Sequence, residues 1–564
     1  MTRCLSLIFV ALCMLALQPA WVQAQVVPST TGSGSKPIVG VTASGMPVVQ
    51  IATPNGAGVS NNKYTSFNVG TQGLILNNSS TNVLTQQAGY ITGNPNLTAN
   101  GAQVILNQVL GGNASQLLGY MEVAGQKADV IVANPAGITC NGCGFINANR
   151  GVLTTGTPVF GGSGSLDAFH VTGGQIQIGS SGLNANNIDQ VDLIARSIQA
   201  NGKIWANKTL NVVTGANDVQ YANVTTTALT PDANHPAVAI DVAQLGGMYA
   251  GKIALVGTEA GVGVNSSGSI AAQSGDVTVN AQGQVTLAGS TSASGNVSVS
   301  SAAGIVNTGS VYATQDATLT SQGQVGNSGT VAALGDTKIN AASISSTGTL
   351  GAGVDASGNT TGAGNLTASA TDAITATGKN LAGGNATLSG SSLDTTGGKT
   401  LVGGNATLTA TNGDINSGNV TAEGNLSATA SGGLNNMGST LAAGGTLSTQ
   451  SSTLTNTGTI VGGSTTLSAT QSIQNQGPAA LIGATDSAGA LTLLAPTITN
   501  IGSSTTTDSA PTTSIYGLGS LVLAGGKDAS GNYTNANQIT NSSGLIQSAG
   551  DMAILGNKNL SVNR

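Results

Sequence analysis

The residues best suited to do chemistry in this chain are Cys140 and Cys143, in the stretch NPAGITCNGCGFIN. A zinc site needs about four ligands, and neither of the two histidines lies near this pair in the sequence. A redox pair of the thioredoxin type places its first cysteine at a helix N-terminus, whereas Asn-Gly-Cys-Gly is typical of a turn followed by a strand. In an oxidising compartment we therefore expect a disulfide that fixes the local shape of this turn.

Two other stretches approach a chemical site without completing it. The segment GGMYAGKI ends in Ile253, where a phosphate-binding loop needs a hydroxyl for Mg²⁺, so we interpret it as a turn between strands. Asp189 and Asp192 could form half of a calcium or acid/base pair, as in polysaccharide-cleaving β-helix enzymes, but three residues apart on a strand they point to opposite faces. The sequence therefore predicts no enzyme, no cofactor and no metal site.

The composition narrows the class of protein. Of 564 residues, 15 are Lys or Arg and 21 are Asp or Glu, and the charged share is 6%, against about 25% in ordinary proteins. The net charge of −6 without a basic cluster argues against a nucleic-acid partner. With 83 glycines and 3% aromatic residues, but 39% hydrophobic residues, the chain is suited to an ordered stack of short strands.

The first residues have the pattern of a secretory signal. MTRCLSLIFVALCMLALQPAWVQAQ combines a positive start, an apolar run over residues 5–17 and a small-residue cleavage site. The run is shorter than the roughly 20 residues of a membrane-spanning helix. We predict a signal peptide over residues 1–24, cleaved between Ala24 and Gln25, and its removal would leave two of the four cysteines.

The second half of the chain repeats with a period of about 20 residues. From residue 381, segments such as LAGGNATLSGSSLDTTGGKT and LVGGNATLTATNGDINSGNV follow one another, and the phase extends back to residue 311 with an insertion around residues 351–362. Short alternating pieces bounded by Gly, Asn and Ser indicate strands and turns. Such a unit cannot close a core alone, which predicts coils of a parallel β-solenoid with Leu388 and Leu408 pointing inward.

Equivalent positions of neighbouring coils lie one strand spacing apart, so a charge repeated every period would form a destabilising column. Asn, Ser and Thr can hydrogen-bond along such a column instead. Because the chain is rich in these residues, sequons such as those at Asn385 and Asn405 arise by chance, and glycosylation stays open.

The repeat is much weaker before residue 265. We expect residues 25–265 to form a separate functional region that also caps the first coil. Residues 266–564 would form the solenoid repeats, which we expect to be truncated at the C-terminal end because the chain stops in mid-pattern.

Three motifs carry a resemblance to a known family. They are NPNL at residues 94–97, ANPAGITCNGCGFIN from Ala133, and AIDVAQLGGMYAGKI from Ala239. With them the chain resembles the N-terminal part of two-partner secretion exoproteins, the filamentous haemagglutinin family, over about residues 35–265. The resemblance implies an all-β fold, a right-handed parallel β-helix, and recognition in the periplasm by a dedicated outer-membrane β-barrel transporter.

The resemblance also assigns roles to individual residues. The family's two secretion determinants correspond here to Asn94, Pro95, Asn96 and Leu97, and to Asn134, Pro135, Ala136 and Gly137. Ala136 stands where many relatives carry Asn. The cysteine pair is similar to that of the haemolysin-like and inhibition-type branch and is expected to fix the turn beside the second motif. From the residues alone, both Asn-Pro motifs are also typical of turns, so a structural role stays open beside recognition.

Three functions follow as hypotheses. The first is a secreted or surface-exposed rod of a Gram-negative bacterium, of the adhesin or haemagglutinin type, which would bind a receptor on a host cell or a neighbouring bacterium. The second is the stalk of a contact-dependent inhibition or haemolysin-type toxin. The third is a polysaccharide-active β-helix enzyme, which should show a groove of clustered acidic and basic residues.

Overall fold

The structure, a computed structural model, describes residues 25–31, 35–231, 235–502, 512–557 and 560–563. The predicted signal peptide, with Ala24, lies outside this range. Every regular element within it is a β-strand, and no helix there is long and apolar enough to cross a membrane. The strands wind into a parallel β-helix in which each coil contributes one strand to each of three faces. The expected fold class is therefore confirmed.

Face one is a ladder whose neighbouring strands are parallel. Its strands are Val59–Phe67, Val104–Val109, Ala128–Ala133, Ala148–Thr154, Gln190–Ala195, Thr209–Thr214, Lys252–Gly257, Val277–Ala281, Val297–Ser301, Ala317–Ser321, Thr337–Ala341, Leu366–Ala370, Ala386–Gly390, Ala406–Ala410, Leu426–Ala430, Ala490–Leu494, Ser520–Ala524 and Met552–Ile554, with the first halves of Thr446–Asn456 and Ser464–Gln476.

Face two continues each coil after a corner. Its strands are Ser115–Leu117, Ile138–Cys140, Gln175–Ile178, Ser197–Ala200, Val238–Val242, Gly263–Ser266, Val285–Leu287, Gly304–Asn307, Gln324–Asn327, Ser343–Ser346, Ile374–Ala376, Leu393–Asp394, Ile415–Ser417, Gly433–Asn436, Thr497–Ile501, Gln538–Ser542 and Leu560–Asn563, with the second halves of the two long strands.

Face three completes the coil and forms its own sheet. Its strands are Pro47–Gln50, Leu74–Asn78, Tyr120–Gly125, Cys143–Ile146, Leu183–Ala185, Lys203–Ala206, Gly247–Ala250, Ser269–Ala272, Ser290–Ala293, Ser310–Ala313, Thr330–Ala333, Thr349–Ala352, Lys379–Ala382, Lys399–Val402, Asn419–Ala422, Thr440–Ala443, Thr459–Gly462, Leu481–Ala484, Ser514–Gly517 and Leu545–Ser548. The interpretation of GGMYAGKI as a turn was wrong, because Gly247–Ala250 is a strand of this face and the turn is confined to Gly251.

The predicted period is confirmed by the strand register. Val277 pairs with Val297, and Val297 with Ala317, each 20 residues further on. The spacing widens between Thr337 and Leu366, which pair with each other, because a hairpin closed by a bridge between Val354 and Thr360 follows the strand Thr349–Ala352. Near the C-terminal end the coils lengthen, and Leu491 pairs with Leu521.

One apolar core runs along the inside of the helix, from Val26 to Ile539. Leu388 and Leu408 lie in it, fully buried as expected, because alternate residues of every strand point inward. The ladders cross residue 265 without a break, since Val264 pairs with Ile240 before it and Val285 after it. Residues 25–265 are therefore wound into the same helix as the repeats and differ in what they add outside it.

The N-terminal addition is a cap. Val26–Pro28 pairs antiparallel with the first face-one strand, and Ile38–Val41 pairs antiparallel with the first face-three strand. These strands cover the first coil's hydrogen-bonding edge, and Pro28 cannot donate to a further strand. A small hairpin, Val83–Thr85 and Gly89–Ile91, packs against the outside of face three. A second one, Gly526–Lys527 and Tyr533–Thr534, projects near the other end.

An outer sheet of four antiparallel strands covers part of face one. It comprises Thr157–Phe160, Leu166–Val171, Asn217–Gln220 and Thr226–Ala228. A second apolar core, which includes Ile131 and Ile194 of face one and Phe169 of the outer sheet, fills the space between them. Face-one strands in this region are therefore buried on both sides, which explains continuous apolar runs such as VIVA at residues 130–133.

Candidate functional site

The first Asn-Pro motif is a turn built around a buried asparagine. The Nδ2 of Asn94 donates to the carbonyls of Ile51 (3.0 Å) and Asn77 (2.9 Å), and its Oδ1 accepts the N–H of Asn96 (2.9 Å). The N–H of Leu97 closes the turn on the carbonyl of Asn94 at 3.1 Å. Asn94 thus ties the turn to the strand Leu74–Asn78 and to the segment that follows the strand Pro47–Gln50.

The four residues of this motif differ in exposure. Asn94 and Leu97 are buried, Asn96 is half-buried, and Pro95 is exposed. The Nδ2 of Asn96 donates to the carbonyl of Ile51 at 3.1 Å. The ring of Pro95 is therefore the part of the motif that faces solvent most fully.

The second motif repeats the same turn. The Nδ2 of Asn134 donates to the carbonyl of Asn113 (3.0 Å) and to Ser115 Oγ (3.0 Å), and its Oδ1 accepts the N–H of Ala136 (3.0 Å). The N–H of Gly137 donates to the carbonyl of Asn134 at 3.0 Å. Because Gly137 has a φ of 117°, this position requires glycine.

Exposure also follows the same pattern in the second motif. Asn134 and Gly137 are buried, whereas Pro135 and Ala136 face solvent. Only the backbone N–H of Ala136 takes part in the turn, so an asparagine side chain at this position is not needed to form it. The side chain at position 136 faces solvent and is free to contact another protein.

The two motifs occupy different corners of the helix. The first lies between a face-three strand and the start of the face-one strand Val104–Val109, and the second follows the end of the face-one strand Ala128–Ala133. They therefore lie at opposite ends of face one. Next to the second motif, a groove of about 540 Å³ is lined by residues that include Val27, Phe67 and Asn113. Asn113 is also the residue whose carbonyl holds Asn134.

The cysteines close the next corner along the chain. Cys140 ends a face-two strand, Cys143 begins a face-three strand, and a disulfide joins them with their Cα atoms 5.4 Å apart. Both are fully buried in the inner core. The strand Ile138–Cys140 connects Gly137 of the second motif to this corner. The disulfide therefore fixes the C-terminal end of that strand, and the motif lies at its N-terminal end.

A polar network beneath the outer sheet was missed by the sequence analysis. Arg150 Nε bonds Asp192 Oδ2, and Arg150 Nη1 donates to the carbonyl of Tyr221 at 2.7 Å, with the guanidinium 4.5 Å from the centre of that ring. The Tyr221 hydroxyl donates to Asp129. Burial raises the pKa of Asp129, and the hydrogen bond from Tyr221 opposes that shift. The network fastens the outer sheet to three coils.

The two aspartates considered as a catalytic pair, Asp189 and Asp192, differ in their exposure to solvent and in their partners. Asp192 is fully buried, where Asn211 Nδ2 donates to it at 2.7 Å. Asp189 is exposed and pairs with Lys208 Nζ at 2.8 Å, which holds the pKa of Asp189 below its usual value. These carboxylates do not converge on one site.

The remaining chemical side chains are dispersed. His170 Nδ1 lies 2.7 Å from Asp218 Oδ1, across two strands of the outer sheet. Across the residues that the structure describes, no three side chains of His, Cys, Asp or Glu are grouped as a metal site would need.

Comparisons with known proteins give a family match in the N-terminal part of the chain and relatives that share a similar sequence. The sequence model of one family, the TPS secretion domain, matches residues 24–287. "tRNA nuclease CdiA-2" of Burkholderia pseudomallei (strain 1026b) is 53% identical over 364 residues, which are 63% of this chain and 12% of that protein. "Toxin CdiA" of Yersinia pestis is 49% identical over 273 residues, which are 48% of this chain and 8% of that protein.

Among solved structures, the crystal structure of a filamentous hemagglutinin secretion domain is 30% identical, and the similarity covers 59% of this chain and 98% of that one with a TM-score of 0.44. This chain spans about one eighth or less of the length of the two curated relatives.

Proposed function

Since residues 24–287 of this chain are a TPS secretion domain, we propose that an outer-membrane β-barrel transporter recognises this domain in the periplasm and exports the chain to the cell surface. The observation that carries the proposal is the common build of the two Asn-Pro turns. Each has a buried asparagine that fixes the turn and an exposed proline that faces solvent.

The roles within each motif divide accordingly. Asn94 and Asn134 shape the turns by bonding backbone carbonyls of neighbouring segments. Pro95 and Pro135 supply rigid apolar contacts for the transporter, and Ala136 extends the second contact. The groove lined by Asn113, whose carbonyl accepts from Asn134, offers room for a transporter segment.

The energy for export comes from folding outside the cell. Each coil that docks buries apolar residues such as Leu388 and Leu408, and burial stabilises by about 25 cal/mol per Å² of apolar area. A docked coil also hinders the chain from sliding back. The low content of aromatic and charged residues suits passage of an unfolded chain through a narrow pore.

At the surface, the rod serves as the first part of a toxin-delivery stalk directed at neighbouring bacteria. Support comes from the 364-residue match to a CdiA protein, which is longer than the secretion domain and so includes rod coils. An adhesin-type rod that binds a host cell is the second candidate, and the single continuous core from Val26 to Ile539 suits it.

The test of export uses the full chain with its signal peptide, co-expressed with and without a candidate transporter, with immunoblots of medium, cell surface and periplasm. We expect export that depends on the transporter and falls in a Pro95→Ser, Pro135→Ser double variant. Pro478→Ser, at an exposed proline in the repeats, is the matched control and should be exported normally. Export without the transporter would overturn the proposal.

The two candidate roles of the rod are separated by binding. Purified rod is added to host cells and to bacteria of related strains, and bound protein is counted by fluorescence. Binding to bacteria alone supports the stalk, and binding to host cells alone supports the adhesin.

A further inference from the structure

A column of buried asparagines runs along the inside of the C-terminal coils, at the corner where face two ends. Strand pairing stacks Ser417, Asn436, Asn456, Asn475, Asn500 and Asn541 on one another. Asn436, Asn456, Asn475 and Asn500 are fully buried. Each must therefore satisfy its amide inside the protein.

The bonds along this asparagine column all point the same way. Asn436 Nδ2 donates to Asn456 Oδ1 at 2.7 Å, and Asn456 Nδ2 donates to Asn475 Oδ1 at 2.8 Å. The next two bonds, from Asn475 to Asn500 and from Asn500 to Asn541, are also 2.8 Å long. In every bond the donor belongs to the earlier coil and the acceptor to the later one.

A second set of bonds has the same direction. The Nδ2 of Asn436 also donates to the carbonyl of Thr459 (3.1 Å), and that of Asn456 to the carbonyl of Leu481 (3.0 Å). Both carbonyls begin the face-three strand of the following coil. Within its own coil, the Nδ2 of Asn436 also donates to the carbonyl of Ser439, and that of Asn456 to the carbonyl of Gly458. All bonds that the side chains of this column make between coils, however, run from the donor of one coil to an acceptor of the next.

The start of a shorter column nearer the N-terminus shows the same polarity. Asn307 Nδ2 donates to Asn327 Oδ1, and Asn327 Nδ2 donates to Ser346 Oγ. The buried Oδ1 of Asn307 is without a hydrogen-bond partner. This is expected for the first residue of a column in which each Oδ1 accepts a bond from the preceding coil. The column stops where Ala376 stacks on Ser346.

We propose that the asparagine column is a directional register lock: each docked coil presents an amide group that completes its bonds between coils only when the next coil docks in the correct register. A slip of one residue would turn the incoming asparagine outward and bring an outward-facing residue in, leaving buried donors unpaired. Coils are thus read and added from the N-terminus to the C-terminus. The proposal concerns folding of the rod and stands whether or not a transporter exports it.

The test replaces one asparagine by a side chain that accepts but cannot donate. In Asn456→Asp, the carboxylate still accepts from Asn436, but it loses both bonds to the next coil and faces the Oδ1 of Asn475. The matched control is Asn435→Asp, which adds the same charge on the outer side, where Asn435 Nδ2 bonds Asn416. The measurement is hydrogen exchange by mass spectrometry on the purified, refolded mature chain.

We expect the amides of residues 464–502 and 512–557 to exchange about tenfold or more faster in Asn456→Asp, while those of residues 366–450 keep their protection. The control should match the unsubstituted chain on both sides. Equal loss on both sides of residue 456, or full protection of the later coils, would overturn the proposal.

A second variant tests whether the boundary of lost protection moves with the position of the substitution. In Asn500→Asp, the loss of protection should begin after residue 500 and leave residues 464–494 protected. A boundary that does not move with the substitution, or a collapse of the whole rod seen by circular dichroism, would equally overturn it.

Discussion

Arg196 Nη2 lies 2.8 Å from Glu259 Oε1, and both side chains are buried although 63 positions separate them. Arg196 follows one face-one strand and Glu259 follows another, two coils later. Arg196 Nη1 also donates to the carbonyl of Thr172, which follows a strand of the outer sheet. The pair therefore fastens the outer sheet to two coils of the secretion domain.

Removing the carboxylate should destabilise this region strongly. Glu259→Ala leaves a buried guanidinium without its counter-charge, at a cost of about 3–5 kcal/mol. Unfolding in denaturant can be followed by the fluorescence of Trp205, which stacks on Tyr249 at 4.3 Å and is the only tryptophan after residue 24. Asp189→Ala removes an exposed ion pair and should leave the same curve unchanged. Equal effects of the two substitutions would contradict the assignment.

The buried carboxyl of Asp129 predicts a pH dependence with a definite sign. Burial raises the pKa of Asp129 above its unfolded value of about 3.9, so its contribution is fully present below pH ~4 and is lost as the pH rises through the folded pKa. In Asp129→Asn the amide oxygen still accepts from Tyr221, and this loss disappears. Between pH 4 and 7, the melting temperature of the variant should rise relative to that of the unsubstituted chain as the pH increases. Parallel curves would refute the prediction.

The turn of the second motif should be sensitive at Gly137 and tolerant at Ala136. Alanine at position 137 would have to adopt a φ of 117°, which side chains rarely tolerate, and its Cβ would lie 3.1 Å from the carbonyl oxygen of Gln175. Gly137→Ala should therefore lower the free energy of unfolding by about 1–3 kcal/mol. Ala136→Asn adds an exposed side chain and should leave stability unchanged. Denaturant unfolding compares them with Gly162→Ala, where a Cβ meets open space. A stable Gly137→Ala protein would show that the turn is not fixed by this backbone.

The repeats could be predicted from the sequence because each coil there has nearly the same length. The alternation of apolar and polar residues around Leu388 and Leu408 predicted both the strands and the residues that face the core. The pairing of Leu388 with Leu408 agrees with the 20-residue period. In the secretion domain the steps vary, since Gln190 pairs with Arg150 across an inserted pair of outer strands. The contact of Arg150 with Asp192 depends on that register, so it could not be found from local patterns.

The Asn-Pro turns were within reach of the sequence, because Asn-Pro favours a turn wherever it occurs. Their partners were not: the carbonyls that Asn94 and Asn134 bind belong to segments 17 to 43 positions away in the chain. The exposure of Pro95 and Pro135 likewise depends on which corner each turn occupies, and that is decided by the whole coil.

The expectation that charges avoid stacking needs a correction at exposed positions, where Lys379 pairs with Lys399 and two aspartates also stack. Asp316 and Asp336 occupy equivalent positions of neighbouring coils, and Asp316 Oδ1 accepts the N–H of Asp336 at 2.8 Å. Asp336 Oδ1 accepts the N–H of Asn365 at 2.7 Å in the same way. Each carboxylate holds the next coil's backbone, and solvent screens the two charges, so the stack is tolerated.

Asp336→Asn should therefore stabilise this corner, because the amide oxygen keeps the bond to Asn365 while the repulsion with Asp316 is removed. The gain should be a few tenths of a kcal/mol at low salt. It should vanish in 1 M salt, where the screening length falls to about 3 Å. Hydrogen exchange of the amides in residues 330–352 at both salt concentrations measures it, with Asn385→Ala as the control that removes the equivalent bond to Asn405 without relieving any repulsion. Faster exchange in Asp336→Asn, or a gain that persists in high salt, would show that the bond and not the charge governs this column.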